Sequence, residues 1–254
     1  MTEGTHKKSF WGSLPGVLTG IAAVITAITG LYLAGGFGSV NNNGGQEEAN
    51  QLPPPPSIPQ PTPPTEWQLI AEETFSSDTG SWPTGIIGSD ENMRRFERQI
   101  FSGKYRWDLE FTRGRERYQQ APYAPTTDFY FAADVRIVES EGSISVSLLF
   151  GRASKQDYGF RVSSNGKFAL SRFDGTENKL IIDWTPVTVD WGKVNRLAVV
   201  VQSNRMRLFL NSELVGEFND PGFTGGKVGI SVTGYDPGTF TVVDFDNIEY
   251  RRKP

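Results

Sequence analysis

The chain has 254 residues, with 25 Lys and Arg against 29 Asp and Glu, no cysteine and one histidine. A slightly acidic balance argues against nucleic acid, which wants a basic face, and the missing cysteines exclude disulfides, thiolate metal sites and Cys nucleophiles. The histidine, His6, precedes a long apolar segment; if that segment spans a bilayer, the imidazole is cut off from the rest of the chain, which removes Ser-His-Asp chemistry and His-ligated metals.

Residues 1–13 form a short tail, expected in the cytoplasm. Residues 14–37, LPGVLTGIAAVITAITGLYLAGGF, carry no charge. About 20 apolar residues suffice for a helix to cross the hydrocarbon layer, so this segment is expected to be a single transmembrane helix. Its apolar run is too long for a cleaved signal peptide, and no clear cleavage site follows. Lys7 and Lys8 precede the helix, while Glu47 and Glu48 are the first charges after it. Positive charge stays inside, which puts the N-terminus in the cytoplasm and the rest of the chain outside the plasma membrane. Within the helix, Gly16, Gly20, Ala23, Ala27, Gly30 and Ala34 recur at spacings of three and four. They form one small-residue stripe of the kind that lets two helices approach closely in lipid, so a weak homodimer is expected.

Residues 38–66 read as a linker. An Asn/Gly-rich stretch without apolar periodicity is followed by eight prolines between Pro53 and Pro64. Such a run favours polyproline II, a semi-rigid spacer of about 35–40 Å.

From Trp67 to Pro254 the pattern changes to short alternating segments. Tyr105, Trp107, Leu109 and Phe111 alternate with charged residues, Phe129, Phe131, Ala133, Val135 and Ile137 with Tyr130, Asp134 and Arg136, and Ile144, Val146, Leu148 and Phe150 with serines. This is the period of half-buried strands. Asn165-Gly166 separates DYGFRVSS from KFALSRFD and predicts a two-residue hairpin turn with both positions at positive φ. The runs NRLAVVVQ, RMRLFLN, ELVGEF, GKVGISVTG and TFTVVDFDNIEY follow. About twelve strands and no amphipathic helix imply an all-β sandwich or barrel. A core of this size can persist outside the cytoplasm without disulfides, which fits a bacterial envelope protein.

Four stretches carry a resemblance: Asp190–Val200 (DWGKVNRLAVV), Arg207–Gly216 (RLFLNSELVG), Gly226–Ile230 (GKVGI) and Val243–Ile248 (VDFDNI), with Glu73–Trp82 (ETFSSDTGSW) fitting an opening strand. Together they resemble the concanavalin A-like lectin/glucanase superfamily, nearest to its laminin-G-like and 3-keto-disaccharide-hydrolase-like (DUF1080) members. The resemblance implies a concanavalin A-like jelly-roll β-sandwich over residues 67–254. It is specific for fold and weak for activity, because this superfamily serves many functions. Asn211-Ser212 departs from it, since the family usually has Asn-Gly there.

In such a sandwich the outward residues of the middle strands should include Tyr130, Asp134, Arg136, Ser145, Ser147, Arg161, Ser163 and Ser171. Of these, Tyr130, Asp134, Arg136 and Arg161, with Trp184, are the candidate ligand-binding residues. Small hydroxyls, a few charges and an aromatic suit a glycan. Replacing Asp134 or Arg161 is expected to weaken binding with little effect on stability.

Glycosidases of this superfamily carry two or three clustered carboxylates on one strand, the acid and nucleophile of the chemistry. Here the nearest pairs are Asp108/Glu110, Glu139/Glu141 and Asp244/Asp246, none with a third partner nearby. No catalytic residue, cofactor or metal site is therefore expected, although Asp244 and Asp246 have the oxygen chemistry for a structural calcium ion. The sequence points to a membrane-anchored recognition module for a glycan or other surface polymer. A glycoside-active enzyme of the 3-keto-disaccharide hydrolase type and a structural or sensory protein-interaction domain are the alternatives.

Overall fold

The computed structural model describes residues 65–87, 93–153 and 156–254. The expected cytoplasmic tail, membrane helix with its small-residue stripe, and nearly all of the linker lie outside the described residues. Those residues form fifteen strands and no helix.

Eight strands and an added ninth make the larger sheet. In spatial order they are β13 (Glu213–Asn219), β12 (Arg205–Leu210), β11 (Asn195–Gln202), β6 (Phe129–Glu141), β15 (Phe240–Arg252), β4 (Lys104–Phe111), β3 (Met93–Phe101) and β2 (Gly85–Ile86), with β1 (Gln68–Glu73) also pairing with β15. The second sheet has six strands in the order β10 (Asn178–Pro186), β9 (Lys167–Phe173), β8 (Gln156–Ser163), β7 (Ile144–Ala153), β14 (Lys227–Gly234) and β5 (Arg115–Gln120). Alternation along each strand places one apolar face of each sheet in a shared core. Trp107, Leu109 and Phe111 from β4, Phe129 and Phe131 from β6, and Phe160 from β8 are fully buried there.

The two long strands give the sandwich its poles. β6 and β15, thirteen residues each, pair with Glu141 opposite Phe240 at one end and Phe129 opposite Arg252 at the other. At about 3.3 Å per residue these ends lie about 40 Å apart. The chain enters at the second pole, where Gln68 pairs with Arg252. Trp67 is 2% exposed. It packs on the outer surface of the nine-stranded sheet, against Tyr130, Ala132, Ala198 and Val200, with Phe209 beside them.

The structure adjusts several local expectations. The opening strand lies earlier than the motif suggested. Phe75 takes φ 49° and Gly80 takes φ 72° with its amide bonded to Asp78 Oδ1 at 2.9 Å, so Thr74–Trp82 turns and drops Phe75 and Trp82 into the core. Arg115–Gln120, which has no apolar alternation, is the edge strand β5. At Asn165-Gly166 only Gly166 has positive φ. Ser164–Gly166 makes a three-residue loop, in which the Gly166 amide bonds to Ser163 O at 3.1 Å. True two-residue turns with positive φ at both positions occur at Ser102-Gly103, Ser203-Asn204 and Asn211-Ser212.

Candidate functional site

The outer surface of the six-stranded sheet is polar because its inward positions are apolar. Val146, Leu148 and Phe150 of β7, Phe160 and Val162 of β8, Phe168 and Leu170 of β9, and Ile230 and Val232 of β14 face the core. Their neighbours must therefore face out. Strand register sets these outward residues in rows. One row runs Tyr118, Ser231, Ser147, Arg161, Ala169, and the next runs Glu116, Thr233, Ser145, Ser163.

Arg161 organises the rows. It is 6% exposed. Its Nε donates to Ser171 Oγ at 2.8 Å, and its Nη1 donates to Thr233 Oγ1 at 3.0 Å. Nη1 also lies 3.0 Å from Glu116 Oε1, which accepts a 2.8 Å bond from Ser231 Oγ. A Cβ at Gly159 would stand 3.3 Å from Arg161 Nε and 3.0 Å from Ser171 Oγ, so glycine there leaves the guanidinium its space. Ser147, between Ser231 and Arg161, is 1% exposed, and its Oγ has no hydrogen-bond partner among the described residues.

Aromatic residues bound the face near both ends of β7. At its start, Trp184 of β10 meets Tyr235 edge-on, with centroids 6.3 Å apart and planes at 82°. Tyr235 shares a 2.9 Å hydrogen bond with Ser145 Oγ. Beside them opens a cleft of about 240 Å³ lined by Ser143, Ile144, Ser163, Ser164, Asn165, Lys167, Trp184 and Tyr235. It lies at the Glu141 pole, opposite the end where the chain enters. Toward the other end, the Arg152 guanidinium covers the Tyr118 ring at 3.8 Å and pairs with Asp157 at 3.5 Å. Burial pushes the Asp157 carboxyl above its ordinary range, against the pull of Arg152.

The sandwich divides the residues singled out from sequence. Arg161 and Trp184 are on this face, as are Ser145, Ser147, Ser163 and Ser171. Tyr130, Asp134 and Arg136 belong to β6, on the outer side of the nine-stranded sheet. Tyr130 is buried beneath Trp67. Asp134 accepts from Arg196 at 2.9 Å and from Asn247 at 2.8 Å, and Arg196 also bonds Glu249 at 2.8 Å. Arg136 is exposed. Asp134 and Arg161 are thus both tied into networks, and replacing either would cost stability, contrary to the expectation from sequence. The residues missed were Glu116, Ser231, Thr233 and Tyr235. The alternation Gly229, Ser231, Thr233 in GKVGISVTG was a readable sign of the same face.

The carboxylate pairs considered for catalysis all fall on the nine-stranded sheet and are largely engaged. Asp108 pairs with Arg95 at 2.9 Å and Glu110 with Arg94 at 3.0 Å. Asp244 takes a forked bond from Arg106 at 2.6 and 2.8 Å, and Asp246 pairs with Lys104. Their ion pairs occupy the oxygens a calcium ion would use, and among the described residues no group of three or more His, Cys, Asp or Glu side chains is placed to hold a metal.

No protein-family model matches the sequence, and no curated protein matches it. Solved structures match the fold. The carbohydrate binding module CBM66 from Bacillus subtilis aligns with TM-score 0.50 and 17% identity over 74% of this chain and 96% of its own. The catalytic domain of an endo-1,3-beta-glucanase (laminarinase) from Thermotoga petrophila aligns with TM-score 0.51 and 10% identity over 73% and 98%. A Bacillus subtilis protein with a galectin-like fold aligns with TM-score 0.51 and 11% identity over 73% and 98%. With two antiparallel sheets packed on one core and these neighbours in shape, the described part of the chain has the concanavalin A-like, galectin-like β-sandwich fold.

Proposed function

We propose that this chain is a single-pass plasma-membrane protein whose extracytoplasmic β-sandwich binds a glycan on the outer face of its six-stranded sheet and does no chemistry on it. The observation that carries the reading is the polar lattice around Arg161, with buried hydroxyls in register and an aromatic pair beside a cleft. Sugar hydroxyls need paired donors and acceptors, and pyranose faces need an aromatic surface. One neighbour in shape is a carbohydrate binding module and another a laminarinase, so both binding and hydrolysis occur on this fold.

The carboxylates favour binding. On this face Glu116 is on β5 and Asp157 on β8, with β14 and β7 between them. What argues against catalysis is that each is tied to an arginine, Glu116 to Arg161 at 3.0 Å and Asp157 to Arg152 at 3.5 Å.

A glycan array probed with the full chain in detergent tests the reading. Binding that Trp184→Ala weakens, with no sugar released on long incubation, is expected. An array without signal would remove the glycan reading in favour of a protein partner, and released sugar would make the protein an enzyme.

A further inference from the structure

Charge on the polar face is uneven. Its strands present Arg152, Arg161, Lys167 and Lys227 outward against Glu116 and Asp157. Arg161 is matched with Glu116 and Arg152 with Asp157. That leaves Lys227, opposite Arg152, and Lys167, and of the two it is Lys167 that lines the cleft. It is the first residue of β9, on the outward side beside inward Phe168. Its ammonium has no ion pair among the described residues, while its backbone is held at both ends by Ser163 Oγ, at 3.0 and 3.1 Å. The surplus cation is therefore carried on a fixed stretch of backbone, and it lines the cleft that contains Trp184 and Tyr235.

We infer that this cleft takes an acidic sugar, a single uronic acid or similarly carboxylated ring, with its apolar face toward Trp184 and its carboxylate toward Lys167. The inference rests on the glycan reading above and names the class of glycan. At about 240 Å³ the cleft is smaller than pockets for drug-sized ligands, roughly 300–1,000 Å³, and suits one ring. Ser143, Ser163, Ser164 and Asn165 line the same space. A neutral ring would leave the ammonium without a counter-charge, whereas a carboxylate would form a charge-assisted hydrogen bond.

The test uses the full chain in detergent and a panel of acidic oligosaccharides built from galacturonate, glucuronate or mannuronate. Each is compared with its carboxyl-reduced form, which keeps ring and linkage but loses the charge. At least one acidic oligosaccharide should bind about tenfold or more tightly than its reduced partner. Lys167→Gln should erase that difference, and Lys167→Arg should retain most of it. Because the side chain is exposed, the thermal midpoint should not move. Trp184→Ala should weaken both forms. Equal binding of acidic and reduced sugars by the native chain, or a preference that survives Lys167→Gln, overturns the inference and leaves the glycan reading standing. Binding unaffected by Trp184→Ala overturns the location. Failure to bind any sugar, acidic or neutral, removes both readings together.

Discussion

Ser212 occupies a conformation that suits glycine. With φ 77° beside Asn211 at φ 49°, it is the second residue of a turn whose backbone is costly for an L side chain. Ser212→Gly should raise the denaturant midpoint, by about 0.5 kcal/mol after the extra chain entropy of glycine is counted. Asn211→Ala should act in the opposite sense, by about 1–2 kcal/mol. It would remove the bonds from Asn211 Nδ2 to Asn195 Oδ1 and from the Arg196 amide to Asn211 Oδ1, each 2.9 Å. A pair of urea titrations decides both signs. The polar face offers a second contrast at this scale. Ser147→Ala deletes a buried hydroxyl that has no partner and should stabilise the fold by up to about 1 kcal/mol. Arg161→Met should destabilise it by about 1–3 kcal/mol, because Glu116, Ser171 and Thr233 lose their common donor. A loss of stability in Ser147→Ala would show that its hydroxyl is engaged after all.

Among elements, the connection between β13 and β14 is fastened by one carboxylate. Tyr158 donates its hydroxyl to Asp220, Arg172 reaches it at 3.2 Å and the Gly222 amide at 2.8 Å. Burial pushes the Asp220 carboxyl up, but these donors outweigh it and hold it below the usual carboxylate range. A carboxyl lowered by folding contributes stability above its unfolded value, near pH 3.9, and that contribution is lost as pH falls through the lower folded value. Asp220→Asn should therefore cost about 1–3 kcal/mol near neutrality, and the gap to the native protein should close on acidification. A gap independent of pH would contradict this account.

Strand alternation made β4, β6, β7 and β15 legible in the sequence, since each buries one side and wets the other. β5 was hidden because RERYQQ is polar on both sides at a sheet edge. The candidate site was half legible for a related reason. Alternation tells inward from outward, but not which of two sheets a residue leaves, so Tyr130, Asp134 and Arg136 were grouped with Arg161 and Trp184 from the opposite surface.

For the whole molecule, the proposed anchor sets a topology that can be read directly. Alkaline phosphatase fused after Pro254 should be active, and a cytoplasmic reporter there silent; the reverse would place the domain inside the cell. If the small-residue stripe joins two helices, Gly20→Ile and Ala27→Ile should abolish signal in a membrane two-hybrid assay on residues 10–38. Persistence of that signal would dispose of the stripe as an interface.

The position of β1 has a mechanical consequence. The chain arrives at one pole, and β1 then runs toward the other, hydrogen-bonded to β15 from Gln68↔Arg252 to Glu73↔Ile248. A ligand held in the cleft at the far pole and a pull from the preceding chain would load this pair along its length. The rungs would then resist in shear, all sharing the force, instead of peeling open one after another, while the indole of Trp67 would have to slide across Tyr130 and Val200 before the first rung broke. A domain hung this way can tug on what it holds without being unravelled from its own end.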